Sequence, residues 1–224
     1  MNPSGKLATL ARAFHPEPEA VSRIMTQSLQ VKRCIGRELA DHVPELARLR
    51  ITVFREFPYL YDGDTAYEER YLKTYTDSAD SVVVLVMDGA RIVGASTALP
   101  LVDETDNVIA PFRQQGLDVD GIFYFGESVL LPEYRGRGLG VRFFEEREAH
   151  ARGLGRFHTS CFCAVDRPVD HPRRPPDYLP LNRFWEKRGY QIQPDLKASF
   201  SWRDLDESGE SPKAMTFWMK RLVP

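Results

Sequence analysis

Apolar positions along the chain change spacing several times, and each change marks an element. In "LQVKRCI" (29–35) they alternate, as in a strand with one buried face. Over 38–57, Leu39, Val43, Leu46, Leu49, Val53 and Phe57 fall near helical spacing, with Pro44 placed to start the main helix. The turn "YDGD" leads to a second helix over 65–77 with Thr65 as its cap. "SVVVLVMDGARIVGASTALPL" is two β-branched runs joined by Asp88-Gly89, a hairpin pattern. A short helix near 109–115 and a strand over 121–131, ended by Pro132, come next. The following helix carries Leu139, Phe143 and Phe144 on one face, leaves Glu145, Glu146, Arg147 and Glu148 mostly outside it, and is stopped by Gly153. A strand (157–165), a loop over 166–180 with five prolines, a short helix (181–189) and an antiparallel pair at 199–205 and 214–222 complete the pattern. This order predicts an α/β fold, a mixed sheet with helices on both faces. Residues 1–27 read as an arm, flexible or helical, because "HPEPEA" breaks the helical stretch Leu7 to Phe14; residues 28–224 read as a single domain.

Composition narrows the classes. Hydrophobic residues make up 42% and aromatic residues 11%, enough for a real core. A formal net charge of −2 provides no basic field for nucleic acid, so no such partner is expected. The longest apolar run, Val82 to Met87, is far too short to span a bilayer, and the first twenty residues lack the apolar core of a secretory signal. Three cysteines form no even framework, which argues for a reducing compartment. A soluble, cytoplasmic protein without a membrane partner is the expectation. Cys161 and Cys163 on one strand would point to one face with His158 on the other, so two small buried residues are expected there and no metal.

The stretch "PEYRGRGLGVRFFEE" places Gly136, Gly138 and Gly140 where a helix must start. The first amides of a helix have no internal partner and point out at the positive end of its dipole. A pyrophosphate can collect them where no Cβ intervenes, and Arg135 and Arg137 would add charge. The stretch is neither a Walker loop, since no Gly-Lys-Ser/Thr follows, nor the G-x-G-x-x-G fingerprint. On the glycines alone, a structural βα turn explains it equally well.

Two longer stretches separate those readings. "VLLPEYRGRGLG", a strand ended by proline and followed by R-x-x-G-x-G, resembles the acetyl-CoA-binding motif of the GNAT superfamily of N-acetyltransferases. "LNRFWEKRGYQI" resembles that superfamily's later helix. The resemblance covers roughly residues 29–222 and leaves the arm and the proline-rich loop unexplained. It implies a mostly antiparallel sheet with a splayed central strand pair and acetyl-CoA as co-substrate. It also implies that Val129, Leu130 and Leu131 offer backbone groups to the pantetheine arm. Arg135, Gly136, Arg137, Gly138, Leu139, Gly140 and Val141 would cradle the pyrophosphate, and Asn182 would lie near the pantetheine. The expected partners are acetyl-CoA and an amine acceptor, with a homodimer left open.

Acetyl transfer to an amine, whose reference pKa is about 10.4 for a lysine-like group, needs a base and a route for a proton to the leaving thiolate. Glu127, in the strand before the turn, is the candidate base, on the argument that a carboxylate among aromatics has its pKa raised by desolvation; a solvated or salt-bridged glutamate is the alternative. Trp185 occupies the helix position where the family usually has a tyrosine, and an indole cannot protonate a thiolate at useful rates. Tyr178 is the replacement acid, against the alternative that it packs the loop, and Tyr190 is the weaker candidate. Acids in "WRDLDE" (202–207) could receive an amine or simply be solvated, and Phe123, Tyr124 and Phe125 could line a pocket. An N-acetyltransferase acting by direct attack in a ternary complex is the first reading. A CoA-binding module without catalysis is the second.

Overall fold

The structure, a computed structural model, describes residues 29–222; the expected arm over 1–27 lies outside them. Seven strands, β1 (Gln30–Ile35), β2 (Val82–Asp88), β3 (Arg91–Pro100), β4 (Ile122–Leu130), β5 (Thr159–Val165), β6 (Gln191–Trp202) and β7 (Ser211–Arg221), form one sheet in the order β1-β2-β3-β4-β5-β7-β6. Every neighbouring pair is antiparallel except β4 and β5. Those two pair only over Ile122 to Tyr124 against Thr159 to Cys161, and then part. The expected splay is present, and β4 beyond Tyr124 keeps a ladder with β3 alone.

Five helices flank the sheet: α1 (Val43–Phe54), α2 (Thr65–Asp77), α3 (Asp106–Gln114), α4 (Leu139–Gly153) and α5 (Asn182–Glu186). Pro44 sits in the first turn of α1 as its fixed φ favours. The cap of α2 is Asp64, one residue before the expected Thr65: Asp64 is extended, and its carboxylate accepts from the Tyr67 amide at 2.8 Å. The β2–β3 turn is Gly89-Ala90, with Gly89 in the left-handed region at φ +59 and Asp88 paired to Arg91. α3 starts earlier than 109, at Asp106.

The largest departure is β6, which begins at Gln191 and not at 199. Pro194 hid it, since proline lacks a ladder donor. The strand absorbs it by a register shift between Gln193 and Lys197, at the sheet's edge, where an irregular strand is tolerated.

The core lies on both sides of the sheet and is aromatic around β4. Phe123 and Phe125 meet His150 and Phe144 of α4. Strict alternation would send Glu127 the same way. A register shift between Ser96 and Ala98 of β3 sets Gly126 and Glu127 together against Thr97, and this bulge turns Glu127 to the α1–α2 side. Glycine is required at 126, where a Cβ would lie 2.0 Å from the Tyr75 hydroxyl. Arg147 and its neighbours correct another expectation. Glu146, Arg147 and Glu148 are all buried, Arg147 because it follows Phe143 by four residues and shares its face.

Candidate active site

Where β4 and β5 part, a cleft of about 1430 Å³ opens. Glu127, Leu130, Tyr178, Asn182 and the turn from Arg135 to Val141, less Arg137, line it. The splay therefore brings together most of the residues singled out from sequence.

One end is the turn before α4. Gly136 and Gly138 are left-handed, at φ +76 and +80, a conformation other residues rarely adopt. No atom lies within 4 Å of the Cβ that either would carry, so the space over them is open. The amides of residues 136–140 have no backbone acceptor among the described residues, whereas those of Val141 and Arg142 donate to Gly138 O at 3.0 and 3.1 Å. Five free N–H groups at a helix start fit an anion. The Arg135 side chain spans the turn, donating from Nε to Leu130 O at 3.1 Å and pairing with Glu56 at 2.8 Å. Arg137 turns away, donating to Glu133 O at 2.9 Å.

Along β4 the backbone alternates. Leu131 donates its amide to Val93 O of β3 at 3.0 Å, so the polar groups of Leu130 face the gap. Val129 and Leu131 are buried and off the cleft.

The other end is made of side chains. Glu127 is buried against Arg50 of α1, and Arg50 also pairs with buried Glu68 of α2. One guanidinium thus sits between two carboxylates, with the Tyr71 ring 4.5 Å from its centre. Glu127 is thus the salt-bridged glutamate of the alternative reading, with Arg50 as its partner. Arg50 could have been suspected from sequence: it stands four residues after Leu46, on the apolar face of α1.

The proline-rich loop, a strap over 166–180, roofs this end. Arg167 grips Asp204 with both nitrogens at 2.7 and 2.9 Å and donates to Pro58 O and Tyr59 O, each at 2.7 Å. Trp202 Nε1 also donates to Asp204, at 2.9 Å. Asp204 of "WRDLDE" is thus buried and paired within the protein, while Asp206 of the same stretch is exposed. Tyr178 lies edge-on to Phe57 at 4.7 Å, with Arg174 4.9 Å from its ring. Burial pushes the Tyr178 hydroxyl up, against the pull of Arg174, so it keeps its proton at neutral pH. Tyr190 lies in the core, bonded to Ser160 at 2.8 Å and Glu148 at 3.2 Å, away from the cleft. Trp185 is on the cleft wall, packed on Phe162 and Trp218. Cys161 and Cys163 are buried free thiols, and no cluster of metal-ligating side chains occurs among the described residues. No helix there is long and apolar enough to cross a membrane.

No family model matches the sequence, and no curated protein matches it either. Solved structures do. Ribosomal-protein-alanine N-acetyltransferase from Brucella melitensis superposes with a TM-score of 0.55 at 13% identity, over 87% of this chain and 100% of that one. An acetyltransferase of the GNAT family from Streptococcus pneumoniae gives 0.52 at 14% identity, over 87% and 99%. Aminoglycoside 6'-N-acetyltransferase complexed with coenzyme A gives 0.52 at 14%, over 87% and 98%. The chain has the GNAT acetyltransferase fold.

Proposed function

We propose that the protein transfers the acyl group of acetyl-CoA to a primary amine by direct attack in a ternary complex. The observation that carries this reading is the splay of β4 from β5, which opens onto five acceptor-free amides at the start of α4. Those amides and Arg135 would hold the pyrophosphate, while Leu130 and Asn182 would face the pantetheine arm. Bound there, acetyl-CoA supplies an activated thioester carbonyl. Glu127 would take the proton of the attacking amine, and Arg50, shared with Glu68, holds its carboxylate in place. Tyr178, with its hydroxyl protonated, lines the same cleft. The strap, anchored by the Arg167–Asp204 pair, would cover the acceptor end.

A screen of amine acceptors with acetyl-CoA, read by thiol release, tests the proposal. Glu127→Gln should lose at least about two decades of turnover, as removal of a general base does. Its CoA affinity should stay within a few-fold, because the free amides lie at the start of α4. CoA binding with no turnover for any acceptor would leave a non-catalytic CoA module.

A further inference from the structure

Three guanidiniums are buried at or beside the cleft. Arg50 faces Glu68 and Glu127, and Arg167 faces Asp204. Arg147, 2% exposed and on the cleft wall, has no such partner. Its Nε donates to Phe143 O at 3.1 Å, Nη1 to Thr97 O and Glu127 O at 3.2 and 3.1 Å, and Nη2 to Ser128 Oγ at 3.0 Å. Every acceptor is uncharged. The Phe125 and Phe144 rings lie 4.3 and 5.0 Å from its centre. A guanidinium has five N–H groups, and these bonds use four, leaving one on Nη2.

The titratable groups acting on Arg147 do not neutralise it. They are Tyr190, Glu127, Tyr75 and Glu148. Burial pushes both tyrosine hydroxyls well up, so they carry no charge. Glu127 is held by Arg50, and Glu148 by Lys220 at 2.8 Å and Arg152 at 2.9 Å. Burial draws Arg147 down to about 10, which leaves it cationic at neutral pH. A buried cation without a counter-ion is unfavourable on its own and marks a place where negative charge is to arrive. It stands at the β4 bulge, beside the point where β4 leaves β5.

We propose that Arg147 is a catalytic residue that stabilises the departing CoA thiolate. The proposal rests on the acyltransferase reading. In the transfer, the amine lone pair forms the new N–C bond and Glu127 receives the amine's proton. The C–S bond breaks, and its electron pair stays on sulfur. The charge of Arg147 and its remaining N–H meet that sulfur, so the step needs no proton donor, and the thiolate is protonated by solvent on release. This accounts for the indole of Trp185 on the cleft wall, a side chain that cannot supply a proton.

The test is a pH titration of the protein–CoA complex, following thiolate absorbance in the ultraviolet, with calorimetry for CoA affinity. In the wild type the bound thiol should ionise about one to two units below free CoA, the shift expected beside a close opposite charge. Arg147→Met should return it to the free value or above, and Arg147→Lys should keep it low. Arg147→Gln, which retains a donor for the Glu127 carbonyl, replaces the Met variant if that one fails to fold. CoA bound normally, with its thiol ionising no lower than in free CoA, overturns the role of Arg147 and leaves the acyltransferase reading intact. A folded neutral variant whose bound thiol still ionises as low as in the wild type does the same. Absence of CoA binding to the wild type overturns both.

Discussion

The two ends of the cleft are made from different material. At the α4 end the working groups are backbone amides of consecutive residues, exposed and held by two left-handed glycines. At the other end they are charged side chains drawn from α1, α2, β4, the strap and the β6–β7 hairpin, most of them buried. A backbone site is tolerant of side-chain change and marginal to stability. A buried charge network is the reverse, since removing one partner strands the others.

Arg50→Met strikes that contrast hardest. It leaves Glu68 and Glu127 buried without a countercharge, at a cost on the order of 3–5 kcal/mol in urea unfolding at neutral pH. A variant as stable as wild type at pH 7 would erase the difference between the two ends.

A third buried carboxylate, Glu104, feels Glu127 and Arg50, and burial pushes it from its ordinary 4.5 to about 7. Because its folded pKa is raised, its contribution is fully present below about 4.5 and is lost as pH rises through about 7. The wild type should lose up to about 3 kcal/mol across that window relative to Glu104→Gln, which cannot titrate. Parallel stability–pH curves for the two proteins would refute this.

The α4 end should answer in binding instead. Arg135→Gln removes one charge-assisted contact of about 1.5–3 kcal/mol, so CoA affinity should fall roughly 10- to 100-fold by calorimetry. Stability should move by no more than about 0.5 kcal/mol, since the Arg135–Glu56 pair is half-exposed. A large drop in melting temperature would make this end structural after all. The smallest effect belongs to Gly138→Ala. The open space there admits a methyl group, but φ +80 does not suit it, and a loss of about 1–2 kcal/mol is expected in thermal unfolding.

The same difference in material decided what could be read from the sequence. The open glycine turn before α4 was legible because its parts are contiguous and their residue types are forced by backbone conformation. The order of elements was legible from the spacing of apolar residues, apart from β6, where Pro194 interrupts the pattern. The partner of Glu127 was not, because a bulge opposite Thr97 decides which face the carboxylate takes, and a one-residue irregularity leaves no mark on composition. Arg50 and Arg147 each stood on an apolar helix face, a signal that was present but pointed to no particular partner. The roles of Arg167 and Asp204 depend on a contact between residues 37 positions apart, which no local pattern encodes.

The short parallel join of β4 and β5 also has a mechanical side. Three residue pairs connect a ribbon of β1 to β4 with a ribbon of β5, β7 and β6, as a rivet connects the blades of shears. Opening or closing the blades by a small angle breaks no further ladder bond. Within the sheet the gap is thus held at one end alone, and a molecule hydrogen-bonded to both blades acts as a splint. Amide exchange at Tyr124 and Cys161, beside the rivet, should slow most when such a splint is in place.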